Sequence, residues 1–317
     1  MSPVWIVLLC LAAVAALLFL ASHIVMRYAC RRGHALGTDL DRELRHSAFR
    51  LYRREIQAAQ HWLAERPVEE VWLSSYDGLR LRARYVPCEN ARGTLLLFHG
   101  WRSYPEVDFG AAYDFYTSLG LNLLLPDERA QGKSEGRFIT FGIRERRDVH
   151  SWIRWHNERF GAQAPLLLGG LSMGASTVLM ACGEPFPANV RGVLADCGFT
   201  SPWDIIGKCT RDFHLPAKLV LPLIDLQTSL FAGFSLKEYS TLDAMKKTRL
   251  PVFFAHGESD TFVPCEMTKK NYEACASADK TLLLVPDAGH GQSYLKQMEQ
   301  YQNAVRAFVG RTLGGKQ

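Results

Sequence analysis

Polar and apolar positions divide the chain into three stretches of different character. From Val4 to Met26 no charged residue interrupts a predominantly apolar run. A helix needs about 20 apolar residues to cross roughly 30 Å of hydrocarbon, so this run predicts a membrane-spanning helix. A cleaved signal peptide fits less well, because no Lys or Arg precedes the run and it is long for a signal core. Next, from Thr38 to Arg66, Leu40, Leu44, Ser47, Leu51, Ala58 and Trp62 form an uneven stripe among Arg42, Arg45, Arg50, Arg53 and Arg54. This predicts a helix capped by Thr38 or Asp39 and stopped by Pro67. Its basic face is either plainly solvated or laid against anionic headgroups.

Beyond Val68 the period shortens. Val71-Trp72-Leu73 and Leu79 to Val86 flank Asp77-Gly78, a hairpin signal. Strand-like runs at Thr94–Phe98, Leu121–Leu125, Pro165–Leu168, Val190–Ala195, Pro251–Ala255 and Thr281–Val285 then alternate with helical patterns at 105–119, 141–160, 173–182, from Pro264, and at 291–312. Runs that are apolar at nearly every position belong to strands buried on both faces. The expected fold is therefore α/β, a doubly wound and mostly parallel sheet fed by an antiparallel hairpin.

Between Phe199 and Leu250 the alternation stops. This stretch carries Pro202, Pro216 and Pro222 and no strand pattern. It reads as a helical insertion over the carboxyl ends of the strands, where ligands bind in such sheets. Its apolar residues, among them Leu219, Leu221, Leu223, Ile224, Leu226, Leu230, Phe231 and Phe234, suggest a lid over a hydrophobic substrate or a cap that fills only its own core. The expected organisation is a transmembrane helix (1–27), a basic linker helix (28–67), an α/β core (68–198 and 249–317) and a cap (199–248).

Charge narrows the partners. The net charge is +5, and residues 1–66 hold nine Arg against five acidic residues. The remainder is close to neutral, which argues against nucleic acid as a partner. Arg27, Arg31 and Arg32 follow the apolar run, so the C-terminal part is expected on the cytoplasmic side. None of the eight cysteines forms a Cys-x-x-Cys pair or sits at metal-ligand spacing with His. Several lie in strongly apolar runs and read as small core residues. Cys30 beside Arg31 is either a free thiol or a lipidation site.

The candidate chemistry centres on Leu166-Leu167-Leu168-Gly169-Gly170-Leu171-Ser172-Met173-Gly174. An apolar strand runs into Gly-x-Ser-x-Gly and then into a helix. That order builds a sharp turn with an exposed hydroxyl beside a helix N-terminus, where backbone N–H groups can hold an oxyanion. A second match, Gly132-Lys133-Ser134-Glu135-Gly136, lies well past its strand and precedes no helix. The nucleophile expected is therefore Ser172. Strand Thr94–Phe98 ends in His99-Gly100-Trp101, so the N–H groups of Trp101 and Met173 are the expected oxyanion donors, with His99 structural. Asp260, in the loop after Pro251–Ala255, is the expected acid; Glu258 and Asp196 compete for that role. His290, flanked by Gly289 and Gly291 after the last strand, is the expected general base. The order Ser172, Asp260, His290 is that of the alpha/beta-hydrolase fold.

Together, His99-Gly100, Asp127 to Gly136, Gly170 to Gly174, His256 to Pro264 and Ala288-Gly289-His290 make residues 68–312 resemble an alpha/beta-hydrolase of the dienelactone hydrolase and serine-hydrolase type. The resemblance implies hydrolysis of an ester, a thioester or, on the same triad, an amide, with no cofactor and no metal. The apolar lid and the span point to a lipid-like acyl substrate at a membrane. A peptidase, and a membrane-tethered binding module without activity, are the rival readings.

Overall fold

Strands that are apolar at every position need cover on both faces, and the molecule supplies it. The structure is a computed structural model, which describes residues 2–32 and 48–314. One eight-stranded sheet contains β1 (Glu69–Ser74), β2 (Arg80–Val86), β3 (Gly93–Phe98), β4 (Leu121–Pro126), β5 (Leu166–Leu171), β6 (Val190–Asp196), β7 (Val252–Gly257) and β8 (Lys280–Val285). Their spatial order is β1-β2-β4-β3-β5-β6-β7-β8. The β1–β2 and β2–β4 pairs are antiparallel and all the others parallel, as the double burial of the later strands predicts.

Alternate residues of each strand enter opposite layers. Leu95, Leu97, Leu123 and Phe253 face α4 (Tyr113–Ser118) and α12 (Met298–Leu313), through Phe115, Tyr116, Tyr301 and Phe308. Leu96, Leu124, Leu168 and Phe254 face α5 (Glu145–Phe160) and α6 (Met173–Ala181), through Trp152, Ile153, Val178 and Leu179. After β3 the chain moves to one side for β4, then crosses to the other for β5. The β3–β5 pair is therefore the switch point, and a crevice opens beyond its carboxyl ends.

Among the described residues no strand lies between β6 and β7; that interval holds α7 (Pro202–Asp212), α8 (Ala217–Gln227), a π turn (Thr228–Ala232) and α9 (Thr241–Met245). α10 (Cys265–Ala274) follows β7, and α11 (Ser293–Lys296) precedes α12.

Some expectations need correction. The helix expected over 105–119 is three pieces: α3 (Pro105–Asp108), a 3-10 turn (Gly110–Ala112) and α4. The chain leaves helical geometry at Phe109 (φ −123°, ψ −8°), and Phe109, Tyr113 and Tyr116 are all buried. The helix expected over 291–312 breaks at Gln297 in the same way. In the basic linker, residues 48–52 form a 3-10 turn and α2 runs Arg53–Ala64. The face α2 buries is Ile56, Ala59 and Leu63; Leu51 and Ala58 of the expected stripe are exposed. Ile56, Ala59 and Leu63 are spaced by three and four and share one face, from which Ala58 is turned by about 100°. Its proposed cap and residues 40–47 lie outside the described residues.

At the N-terminus, α1 is one helix, Pro3–Cys30, long and apolar enough to cross a membrane. Its side chains are exposed from Pro3 to Leu17, then begin to pack against α7 and α8. Cys30 is fully buried there, which removes it as an accessible lipidation site.

Candidate active site

At the switch point, β5 ends at Leu171 and α6 begins at Met173, leaving Ser172 as the whole turn. Its φ of 56° and ψ of −114° are strained for a residue with a Cβ. The surrounding packing holds that strain. The Ser172 N–H donates to Asp196 O of β6 at 2.8 Å. The turn also needs its glycines: a Cβ on Gly174 would lie 1.9 Å from Phe98 O, and one on Gly170 2.3 Å from Gly174 C.

Two distant loops bring partners to this hydroxyl. His290, after β8, places Nε2 2.9 Å from Ser172 Oγ and Nδ1 2.7 Å from Asp260 Oδ2. A carboxylate only accepts, so Nδ1 carries the proton and Nε2 is free to accept from the serine. Asp260, after β7, has its other oxygen fixed by the N–H groups of Phe262 (2.8 Å) and Val263 (2.9 Å). Burial alone would raise its pKa, but hydrogen bonds from His256 and His290 outweigh burial and hold the carboxyl well below its ordinary range.

The other candidates are engaged elsewhere. Glu258 is exposed. Asp196 is buried and accepts from Ser293 Oγ at 2.9 Å. Ser134 is fully buried; its hydroxyl donates to Asp127 O at 2.6 Å and accepts from Arg82 N–H at 2.9 Å. His99 donates from Nδ1 to Gly100 O (2.8 Å) and accepts at Nε2 from Glu128 N–H (3.1 Å). Burial lowers its pKa, consistent with a neutral brace of the loop. Cys197 Sγ joins Asp260 and His290 in a group whose donor atoms lie within 4.8 Å of one another. Burial pushes that thiol well above its usual range, so it stays protonated and ligates poorly.

The loop after β3 faces the serine. Gly100 N–H donates to Asp108 Oδ2 at 2.6 Å, which ties the loop to α3. The N–H groups of Trp101 and Met173 donate to no acceptor among the described residues. Met173 is the first residue of α6, where N–H groups have no intrahelical partner.

Against Ser172 lies an apolar cavity of about 120 Å³. Phe199, Ile205, Ile206 and Phe213 line one side; Val25, Tyr28 and Ala29 of α1 line another. The lid residues expected from the pattern do not line it. Leu221, Ile224 and Phe234 are core, while Leu219, Leu226, Leu230 and Phe231 point outward.

Sequence reasoning missed two contributors. His256 is fully buried, with Nε2 3.1 Å from Asp260 Oδ2 and 2.9 Å from Val263 O. Its place four residues before Asp260 was a usable signal. The α1 residues gave none, because a lipid-facing and a pocket-facing Val or Ala read alike.

No protein-family profile matches the chain. Protein YqkD of Bacillus subtilis is 25% identical over 233 residues, covering 73% of this chain and 76% of that protein. An uncharacterised membrane protein of Saccharomyces cerevisiae is 25% identical over 244 residues, 77% of this chain and 80% of its own. Monoglyceride lipase of the same yeast is 24% identical over 276 residues, 70% of this chain and 86% of the lipase. Among solved structures, the Pyrococcus furiosus esterase Pf2001 superposes with a TM-score of 0.68 at 19% identity, over 90% of this chain and 98% of the esterase. The chain has the alpha/beta-hydrolase fold; none of the proteins just named is a dienelactone hydrolase.

Proposed function

We propose that this protein is a membrane-anchored serine hydrolase that cleaves a hydrophobic carboxylic ester or thioester. The observation that carries the reading is the unbroken chain of contacts from Asp260 through His290 to Ser172, at 2.7 and 2.9 Å. In this reading His290 Nε2 takes the Ser172 proton as Oγ attacks the carbonyl carbon. The N–H groups of Trp101 and Met173 hold the oxyanion, a type of donor whose loss costs about 10²–10³ in rate. Collapse expels the alcohol or thiol, which receives the proton from His290. Water, deprotonated by the same nitrogen, then cleaves the acyl-enzyme and releases the acid. Asp260 holds the imidazole tautomer and stabilises its charged form.

The apolar cavity favours an acyl group over a peptide amine. No carboxylate lines it, and Asp204 is occupied by the hydroxyls of Thr200 and Ser201. An esterase and a monoglyceride lipase among the similar proteins point the same way. In this reading α1 anchors the enzyme, with its arginine-flanked end and the catalytic part on the cytoplasmic side. The test is turnover of p-nitrophenyl esters and labelling by a fluorophosphonate probe. Both are expected for the full chain and lost in Ser172→Ala; a variant that keeps either would overturn the assignment.

A further inference from the structure

α1 is more than a tether. Twenty-eight residues at 1.5 Å each make it about 42 Å long. Yet only Pro3 to Leu17 stand clear of the rest of the molecule. Those 15 residues reach about 22 Å, short of the roughly 30 Å of hydrocarbon.

The remaining turns are built into the protein. Gln227 Nε2 of α8 donates to Ser22 Oγ (2.7 Å) and Phe19 O (3.3 Å). At the helix C-terminus the orphan carbonyls, which water would otherwise satisfy, are taken by the catalytic part. Trp101 Nε1–H donates to Ala29 O at 2.8 Å, and Ile139 N–H to Cys30 O at 2.6 Å. Trp101 thus joins α1 directly to the loop beside Ser172.

If α1 crosses the bilayer, its packed part must enter the hydrocarbon and take the neighbouring face with it. That face is suited to lipid: Leu219, Leu226, Leu230 and Phe231 are 57, 51, 68 and 54% exposed. The cavity at Ser172 is walled in part by α1, and two of its lining rings, Tyr28 and Phe213, are exposed at the surface.

From this we propose that α1 forms one wall of the substrate site, and that the substrate is a bilayer-resident ester of a long-chain acyl group, taken up from the lipid alongside α1. The carbonyl end enters the cavity, and the far end of the chain remains in hydrocarbon. This rests on the ester-hydrolase reading above and adds to it the source of the substrate and the role of the helix.

The test uses the full chain. Ala29→Trp fills the α1 wall. It is expected to lower the ratio of kcat/KM for p-nitrophenyl dodecanoate over acetate by about tenfold or more, the range a pocket contact of this size commands. Val25→Ala, which widens the same wall with little risk to folding, is expected to move the preferred acyl length upward. Leu226→Asp with Leu230→Asp is expected to cut hydrolysis of a long-chain ester held in phosphatidylcholine vesicles by about tenfold relative to the same ester in detergent micelles, since a charge is costly to place in hydrocarbon. An unchanged acyl-length profile in both wall variants, or an unchanged vesicle-to-micelle ratio in the double variant, overturns this inference while leaving the ester hydrolase standing. A wild-type chain that neither labels nor turns over any ester removes the hydrolase reading itself, and the inference with it.

Discussion

Two pentapeptides of this chain share the Gly-x-Ser-x-Gly pattern and meet opposite fates. Ser172 is the whole link between a central strand and a helix, at a strained φ of 56°, with an imidazole nitrogen 2.9 Å from its oxygen. Ser134 sits in a loop tucked under β2, its hydroxyl spent on Asp127 O and Arg82 N–H. The contrast teaches that the pattern permits a tight turn but does not supply chemistry. Chemistry needs the turn to fall at a switch point, where other loops converge.

Ser172→Ala should lower kcat for p-nitrophenyl esters by about 10⁴–10⁶, the loss seen when a triad nucleophile is removed. Retained turnover there, with loss in Ser134→Ala, would reverse the comparison. Asp260→Asn should lower kcat by about 10⁴, because an amide favours the wrong imidazole tautomer. Steady-state kinetics at pH 8 would show it, with KM little changed.

On the other side of the contrast, Ser134→Ala should act on stability. It strands the buried Arg82 N–H, at a cost of about 1–3 kcal/mol. The urea midpoint should fall while turnover per folded molecule stays within about twofold of wild type; a larger catalytic loss would draw Ser134 back towards the site.

The smallest effect concerns Glu128, in the same loop segment. It is buried, and neither carboxyl oxygen has a hydrogen bond of good geometry among the described residues, the Thr177 hydroxyl being the side-chain contact that favours its charged form. Burial, then repulsion from Glu145 and Asp148, raises its pKa well above the usual value. The folded state therefore holds a proton that the unfolded chain releases above about pH 4.3. Stability from this group is present below that pH and is lost as pH rises towards the folded pKa. Glu128→Gln should thus raise the urea midpoint at pH 8. The gain should vanish near pH 4; an equal gain at both pH values would exclude ionisation as the cause.

Much of this was legible locally. Leu166 to Leu171 and Val252 to Ala255 are apolar at every position, as only strands covered on both faces can be. Choosing among Asp196, Glu258 and Asp260 rested on loop position, and only the geometry put Asp260 on His290 at 2.7 Å. His256 entered only as part of the stretch His256 to Pro264, and its place four residues before Asp260 was the one clue to the contact it makes with that carboxylate. The outward-facing Leu226 and Leu230 and the inward-facing Ile205 and Ile206 could not be told apart either, because an apolar side chain in this insertion reads the same whether it meets the cavity or the surface.

By itself the sequence determined the alternation of strand and helix, the tight turn at Ser172 and the apolar helix at the N-terminus. Each depends on contacts within a few residues: double burial, the absence of a Cβ, an uninterrupted apolar run. The tertiary structure alone decided which serine meets an imidazole, which acid orients it, and that α1 lines the cavity. Those outcomes depend on strand order and on packing between segments 30 to 118 residues apart or more, and hydrophobic contact carries no record of its partner in the chain.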